Sequence, residues 1–156
     1  MKKVILSLGS NIEPRNVFIE RAIEKLRVGV NILKISRIYQ TKPWGYEEQN
    51  DFLNLSLVGY TNLLPFELLT FIKDIEKSVG RKDRFKWGPR EIDIDIVYYS
   101  SIVIHTNTLR IPHPYRLDRR FVLIPTFEIE PNFIDPEYNI SISKLVQKCI
   151  YRNSEF

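Results

Sequence analysis

Apolar residues along this 156-residue chain recur in two rhythms, and the switches between them divide it into elements. Residues 3–9, KVILSLG, predict a strand that ends at a glycine. SNIEP follows as a turn, and Pro14 is placed to open a helix running to about residue 28. Phe18, Ala22 and Leu26 fall four apart there, with Ile19 and Ile23 beside them, and Gly29 stops the pattern. Branched and aromatic residues predict strands over 32–40 and 52–59. The turn-rich loop between them, TKPWGYEEQND, is long enough to be a binding loop. A second helix opens at Pro65, carries Leu68, Leu69, Ile72, Ile75 and Val79 on one face, and closes at Gly80. A strand over 92–99 follows, then a short pair near 102–104 and 107–111. Residues 112–139 hold five prolines and predict an irregular segment, with at most a turn of helix at 116–120, before a last helix around 142–151.

The order strand, helix, strand, strand, helix, strand predicts an α+β fold of the ferredoxin-like kind. A largely antiparallel sheet would carry two helices on one face, and the extended C-terminal irregular segment would lie over an edge or the other face. The length suits one domain, residues 1–156, with a single core.

Composition narrows the picture. Apolar residues at 44% and charged residues at 27% are those of an ordinary globular protein. The opening MKKVILSLGSN is cut off by Ser7, Ser10, Asn11 and Glu13, too soon for a signal core or a membrane span, so the expected location is the cytoplasm, with no membrane partner. A single cysteine, Cys149, excludes an internal disulfide, and only two histidines argue against a zinc site. The net charge is +4, and its placement matters more than its size: cations gather at 81–90 and at Arg110, Arg116, Arg119 and Arg120. Two separated cationic segments suit a polyanion, either a nucleic acid backbone or a nucleotide tail.

Candidate chemistry concentrates in RKDRFKWGPREIDIDIVYY, residues 81–99. Strand side chains alternate, so Asp93 and Asp95 share one face with Val97 and Tyr99, while Ile92, Ile94, Ile96 and Tyr98 take the other. Two neighbouring carboxylates repel, and a hard divalent cation such as Mg²⁺ relieves them while keeping coordination positions for phosphate oxygens. An amphipathic edge strand with a solvated acidic face would read the same way. The loop in front favours the metal: Arg81, Lys82, Arg84, Lys86 and Arg90 exceed what two acids need, and Trp87 adds an aromatic plate on a stiff Gly88-Pro89 turn. Asn54, beside Phe52, could read the edge of a flat heterocycle or be a structural strand amide. His113, between two prolines, could serve the site or only its own turn. No phosphate-binding loop of the GxxxxGK[ST] type is present, so any nucleotide must be held by side chains and metal.

Together, GSN at 9–11, FLN at 52–54, GR at 80–81, WGPREIDIDI at 87–96, and IPHP followed by RRFVLIPTFEIEP resemble the 6-hydroxymethyl-7,8-dihydropterin pyrophosphokinase family, over about residues 4–131. The resemblance implies transfer of the pyrophosphoryl group of ATP to the hydroxymethyl group of a reduced pterin, with release of AMP, in folate synthesis. It implies two Mg²⁺ ions on Asp93 and Asp95, and Arg81 and Arg90 at the transfer centre. Arg84, Trp87, Ile96, His113 and Arg119 would join these arginines around ATP, and Thr41, Pro43, Trp44, Phe52, Asn54 and Phe121 would form the pterin side. The chain departs from the family where GRKD replaces GRxR, so that Asp83 stands at a common arginine position and Arg84 comes one place late. Loops 42–51 and 81–90 are expected to close over both substrates, in a monomer. The competing expectations are a nucleic-acid-binding module on the same sheet, disfavoured by the exposed acids, and a relative that has lost its chemistry.

Overall fold

The computed structural model describes residues 1–43 and 45–152, the last three of them by backbone alone. Trp44, expected on the pterin side, lies outside the described residues. The elements run β1 (Lys2–Ser10), α1 (Arg15–Leu26), β2 (Asn31–Ile35), β3 (Tyr39–Thr41), β4 (Phe52–Thr61), α2 (Pro65–Val79), β5 (Asp93–Tyr99), β6 (Ile104–His105), β7 (Arg110–Ile111), α3 (Arg120–Ile129) and α4 (Ile142–Arg152). The main sheet has the order β2-β4-β1-β5 with every pairing antiparallel. This is the ferredoxin-like arrangement expected from the element order. The strand expected over 32–40 is two strands, β2 and β3, both paired with β4. They are interrupted at Ser36, whose hydroxyl accepts from the Ser56 N–H at 2.9 Å.

One face of the sheet is closed by α1 and α2. Leu6 and Leu8 of β1, Leu53, Leu55 and Leu57 of β4, and Ile94 and Ile96 of β5 pack with Ile19, Ala22 and Leu26 of α1 and Leu68, Ile72, Ile75 and Val79 of α2. The 3.6-residue spacing of the helix residues makes each helix a stripe that fits this face. Burial of a side chain such as Leu68 or Ile72, both fully enclosed, contributes about 1.5–3 kcal/mol. Glu67 accepts from the Leu64 N–H at 2.8 Å and so satisfies one free amide at the start of α2. Gly80 ends that helix at φ 124°, a conformation that favours glycine.

The second face differs from expectation in two ways. Residues 112–139 are mostly irregular as expected, but in place of a turn of helix at 116–120 they hold a ten-residue helix, α3 at 120–129, which with α4 covers part of this face. Val122, Leu123, Ile129, Ile142, Leu145 and Val146 pack there over Ile5, Val58, Val97 and Tyr98. Pro125 sits inside α3 and removes a single amide donor, while Val122, Leu123, Thr126 and Ile129 still form a buried stripe that holds the helix to the sheet. The alternation along β5 also breaks. The β1–β5 register shifts between Ile5 and Leu6, so that Ile5 meets Tyr98 and Leu6 meets Ile96. Val97 and Tyr98 therefore both face the second core, and Tyr99 turns to the first. A bulge of this kind reverses the side-chain pattern beyond it. Asp93 and Asp95 precede the bulge and remain on the second face.

Candidate active site

Part of the second face is left uncovered by α3 and α4, and it forms the floor of a cavity of about 320 Å³. Ser7 and Gly9 come from β1, Phe52 and Asn54 from β4, and Asp93 and Asp95 from β5. Gly9 faces Asn54 so closely that a Cβ would stand 2.7 Å from its side-chain oxygen, so any larger residue there would displace the amide. Asn54 donates through Nδ2 to Thr41 Oγ1 at 2.6 Å. The front wall is Arg81, Arg84, Phe85, Lys86, Trp87 and Arg90, and the rear wall is His113, Pro114, Tyr115, Arg119 and Phe121.

The two carboxylates sit in unlike fields. Asp93 accepts from Arg81 Nη1 at 2.8 Å and lies 3.5 Å from Arg90 Nε. Burial pushes its pKa upward, but Arg90 and Arg81 outweigh burial and hold it below the usual value. Asp95 has only longer partners, Arg119 Nη1 at 3.7 Å and His113 Nε2 at 3.9 Å. Burial, and after it the charge of Asp93, raises Asp95 to about 7. His113 is pushed down to about 4, first by burial and then by Arg119. Its Nδ1 accepts from the Tyr115 N–H at 3.1 Å, so the neutral ring carries its proton on Nε2, toward Asp95.

Other side chains hold these in place. Glu76, buried within the apolar stripe of α2, accepts from Arg81 Nη1 and from the Ile94 N–H, each at 2.8 Å, and from Lys73 Nζ at 3.1 Å. Arg84 lines the cavity, but its two terminal nitrogens form a fork on Glu91 at 2.6 and 2.8 Å. Its hydrogen bonds hold Glu91 down at about 2. The Arg90 guanidinium lies 5.2 Å from the centre of the Phe52 ring. Arg119 lies 5.3 Å from the Tyr115 ring and 5.5 Å from the Phe121 ring.

Gln49 ties three segments together. Its Oε1 accepts from Asn11 Nδ2 at 2.8 Å, and its Nε2 donates to the carbonyls of Tyr46 at 2.6 Å and Trp87 at 2.8 Å. Asn11 in turn accepts from the Arg90 N–H at 2.9 Å. Gly45, at φ 93°, lies under the Trp87 ring, where a Cβ would fall 2.0 Å from Cε3.

The cavity thus gathers Arg81, Arg84, Trp87, Arg90, Asp93, Asp95, His113, Arg119, Thr41, Phe52, Asn54 and Phe121 from the sequence-predicted set. Pro43 lies beside it, lining a neighbouring pocket that shares Thr41, Arg119 and Phe121. Ile96, expected beside ATP, does not line it, because its side chain is buried in the first core. Sequence reasoning missed Glu76, Glu91, Gln49, Asn11 and Tyr115. Glu76 had a local signal, an acid in register with Ile72 and Val79 on an otherwise apolar stripe, while Asn11 in GSN and Glu91 in WGPREIDIDI stood in quoted motifs without an assigned role. Among the described residues no group of three or more His, Cys, Asp or Glu could hold a metal. Two carboxylates meet the need of Mg²⁺, which takes the remainder of its ligands from water and phosphate.

The model of one protein family, described as 7,8-dihydro-6-hydroxymethylpterin-pyrophosphokinase, matches residues 5–131. The chain belongs to this family. It is 54% identical over 138 residues to the 2-amino-4-hydroxy-6-hydroxymethyldihydropteridine pyrophosphokinase of Aquifex aeolicus, covering 88% of this chain and 86% of that one. It is 42% identical over 126 residues to the enzyme of the same name from Bacillus subtilis, covering 80% and 75%. Among solved structures, the HPPK-DHPS of Plasmodium falciparum superposes with a TM-score of 0.78 at 18% identity, a likeness of fold. That match covers 97% of this chain and 45% of the longer Plasmodium chain. Family membership makes the chain a pyrophosphokinase and disfavours the nucleic-acid-binding and inactive readings. Among the described residues no helix is long and apolar enough to cross a membrane.

Proposed function

We propose that this cavity holds the phosphates of ATP and a reduced pterin side by side. There it transfers the pyrophosphoryl group to the hydroxymethyl oxygen of 6-hydroxymethyl-7,8-dihydropterin, in folate biosynthesis. The observation that carries the reading is the Asp93–Asp95 pair on one strand face, with Asp95 raised to about 7 and, among the described residues, no cation within hydrogen-bonding distance of it. Such a pair fits Mg²⁺: Asp93 and Asp95 would hold the metal, two ions by the family resemblance. Bound there, it would neutralise the triphosphate and draw the attacking and leaving oxygens into line.

The chain's own residues do the remaining work. Arg81, Arg90 and Arg119 surround the position of the phosphates and stabilise charge as it spreads in the transition state. His113, neutral with its proton on Nε2, donates a hydrogen bond there without changing the charge. Asn54 reads the edge of the pterin, while Phe52 and Phe121 bound its faces, with Thr41 holding the amide of Asn54. In the transfer the pterin hydroxyl oxygen bonds to the β-phosphorus, and the bond from that phosphorus to the α,β-bridging oxygen breaks. AMP leaves with that oxygen, and the hydroxyl proton passes to a phosphate oxygen and departs with the products. Trp87 and loops 42–51 and 81–90 exclude water, which would otherwise compete as acceptor. The expected working form is a single domain acting as a monomer in the cytoplasm. Release of AMP, dependent on both Mg²⁺ and the pterin alcohol, is the expected outcome. ADP as the nucleotide product, or AMP without pterin, would overturn the reading.

A further inference from the structure

A buried polar cluster lies behind the rear wall, within the second core, and no step of the transfer uses it. Asp135 is fully enclosed and Arg116 is 4% exposed. Arg116 grips Asp135 with Nε at 2.7 Å and Nη2 at 3.1 Å. The Tyr98 hydroxyl donates to the same carboxylate at 2.5 Å, as do the backbone N–H groups of Glu137 at 2.9 Å and Tyr138 at 3.1 Å. The third guanidinium nitrogen, Nη1, points the other way and donates to the His113 carbonyl at 3.0 Å. The Arg116 N–H donates to that carbonyl at 3.2 Å, and the His113 N–H donates to Val97 of β5 at 3.0 Å. The rings of Tyr98 and Tyr138 lie 5.8 and 5.5 Å from the guanidinium carbon. A buried ion pair adds little net stability over an apolar filling of the same volume, but it does fix one arrangement.

We propose that Arg116 and Asp135 are positioning residues for the nucleotide side of the site, fixing the turn that carries His113 and Arg119 opposite Asp95. The proposal rests on the pyrophosphokinase reading above. The turn from 113 to 119 follows β7, is tied to β5 through the His113 N–H, and enters α3 after Arg119, and Arg116 is midway between the two residues that approach Asp95 Oδ2. Asp135 anchors the guanidinium from the far side, so the position of His113 is set by residues of a separate segment rather than by its own turn alone. Most of the pterin side, Thr41, Phe52 and Asn54, stands on β3 and β4 away from these contacts, while Phe121 on α3 follows the turn directly.

Asp135→Ala would strip the buried Arg116 of its enclosed carboxylate, leaving it Glu137 at 3.2 Å from Nη2, and is a poor probe, because the variant can simply unfold. Arg116→Lys keeps a cation beside Asp135, but one ammonium cannot hold both the carboxylate and the His113 carbonyl. For Arg116→Lys we expect a cooperative melt, a rise in KM for ATP of about tenfold and a KM for the pterin changed by less than about twofold. An unchanged KM for ATP, or an equal loss on both substrates, would overturn the proposal. An independent readout uses the two histidines of the chain: in spectra of imidazole-labelled protein without substrate, the His113 signals should shift in Arg116→Lys while those of His105 stay. Unmoved His113 signals also overturn it. A parent chain that releases no AMP would instead count against the pyrophosphokinase reading, and the imidazole spectra would still decide the role of Arg116.

Discussion

Asp95 is destabilised by its own surroundings. Its pKa in the fold, about 7, lies above its ordinary value of 3.8, so the fold favours the protonated form. That favourable contribution is complete below about pH 4 and is lost as pH rises to about 7. Asp95→Asn, neutral at every pH, should therefore melt higher than the parent at pH 8 without metal, by roughly 2–4 °C for each kcal/mol regained. The same change should lower turnover by orders of magnitude. A lower melting temperature at pH 8 would show that Asp95 is not strained in the free protein. Removing the acid thus trades activity for stability, as at many functional sites. Asn54→Ala tests the other substrate: pterin affinity should fall at least about tenfold with nucleotide affinity unchanged, because a flat ring loses its edge contacts. At this scale the Asp93–Asp95 pair was legible from alternation alone. Glu76 was legible only in part, because the stripe shows that it is buried and not that Arg81 and the Ile94 amide come to meet it.

At the scale of elements, two loops are joined by hydrogen bonds. Gln49 joins loop 42–51 to the carbonyl of Trp87 and to Asn11, and Asn11 holds the Arg90 amide. If these bonds couple the loops, a nucleotide bound at one should tighten pterin binding at the other. Gln49→Ala should retain the melting temperature but reduce that tightening severalfold in calorimetric titrations of pterin with and without a non-hydrolysable ATP analogue. Tightening equal to that of the parent would leave Gln49 a loop residue only. The base of loop 81–90 has a charge dependence of its own. Glu91 is held at about 2 by Arg84, so the stability this pair lends the loop is present above about pH 4.5 and is lost as pH falls toward 2. The sequence displays Arg84 as a surplus cation, and only the fold reveals Glu91 as its partner. The displaced arginine of GRKD is thereby accounted for: both ends of its guanidinium are committed to closing the loop.

For the whole molecule, the sheet divides labour between its faces. The first is mostly apolar and is closed by α1 and α2; the second is mostly apolar beneath α3 and α4 and mostly polar beyond them. Stability and chemistry are thus separable along one surface. Ile142, fully buried in the second core, is far enough from the cavity to test this. Ile142→Ala should cost about 2–5 kcal/mol in denaturant unfolding while leaving KM for both substrates near the parent values at temperatures where the variant is folded. A comparable change in KM would show that the core and the cavity are coupled more tightly than the division implies.

The sequence by itself determined the helices α1 and α2, the long strands, the shared face of Asp93 and Asp95, and the cationic loop ahead of them. Each of these depends on side-chain order within about twenty residues, where helix and strand periods act directly. Tertiary structure alone decided three things. It placed the bulge that turns Tyr98 into the second core, because register is set by pairing with β1. It made a helix of 120–129 in spite of Pro125, because burial against the sheet outweighs one missing hydrogen bond. It matched Arg84 with Glu91 and Arg116 with Asp135, because the choice among many charges is made by proximity after folding, and no local period records it.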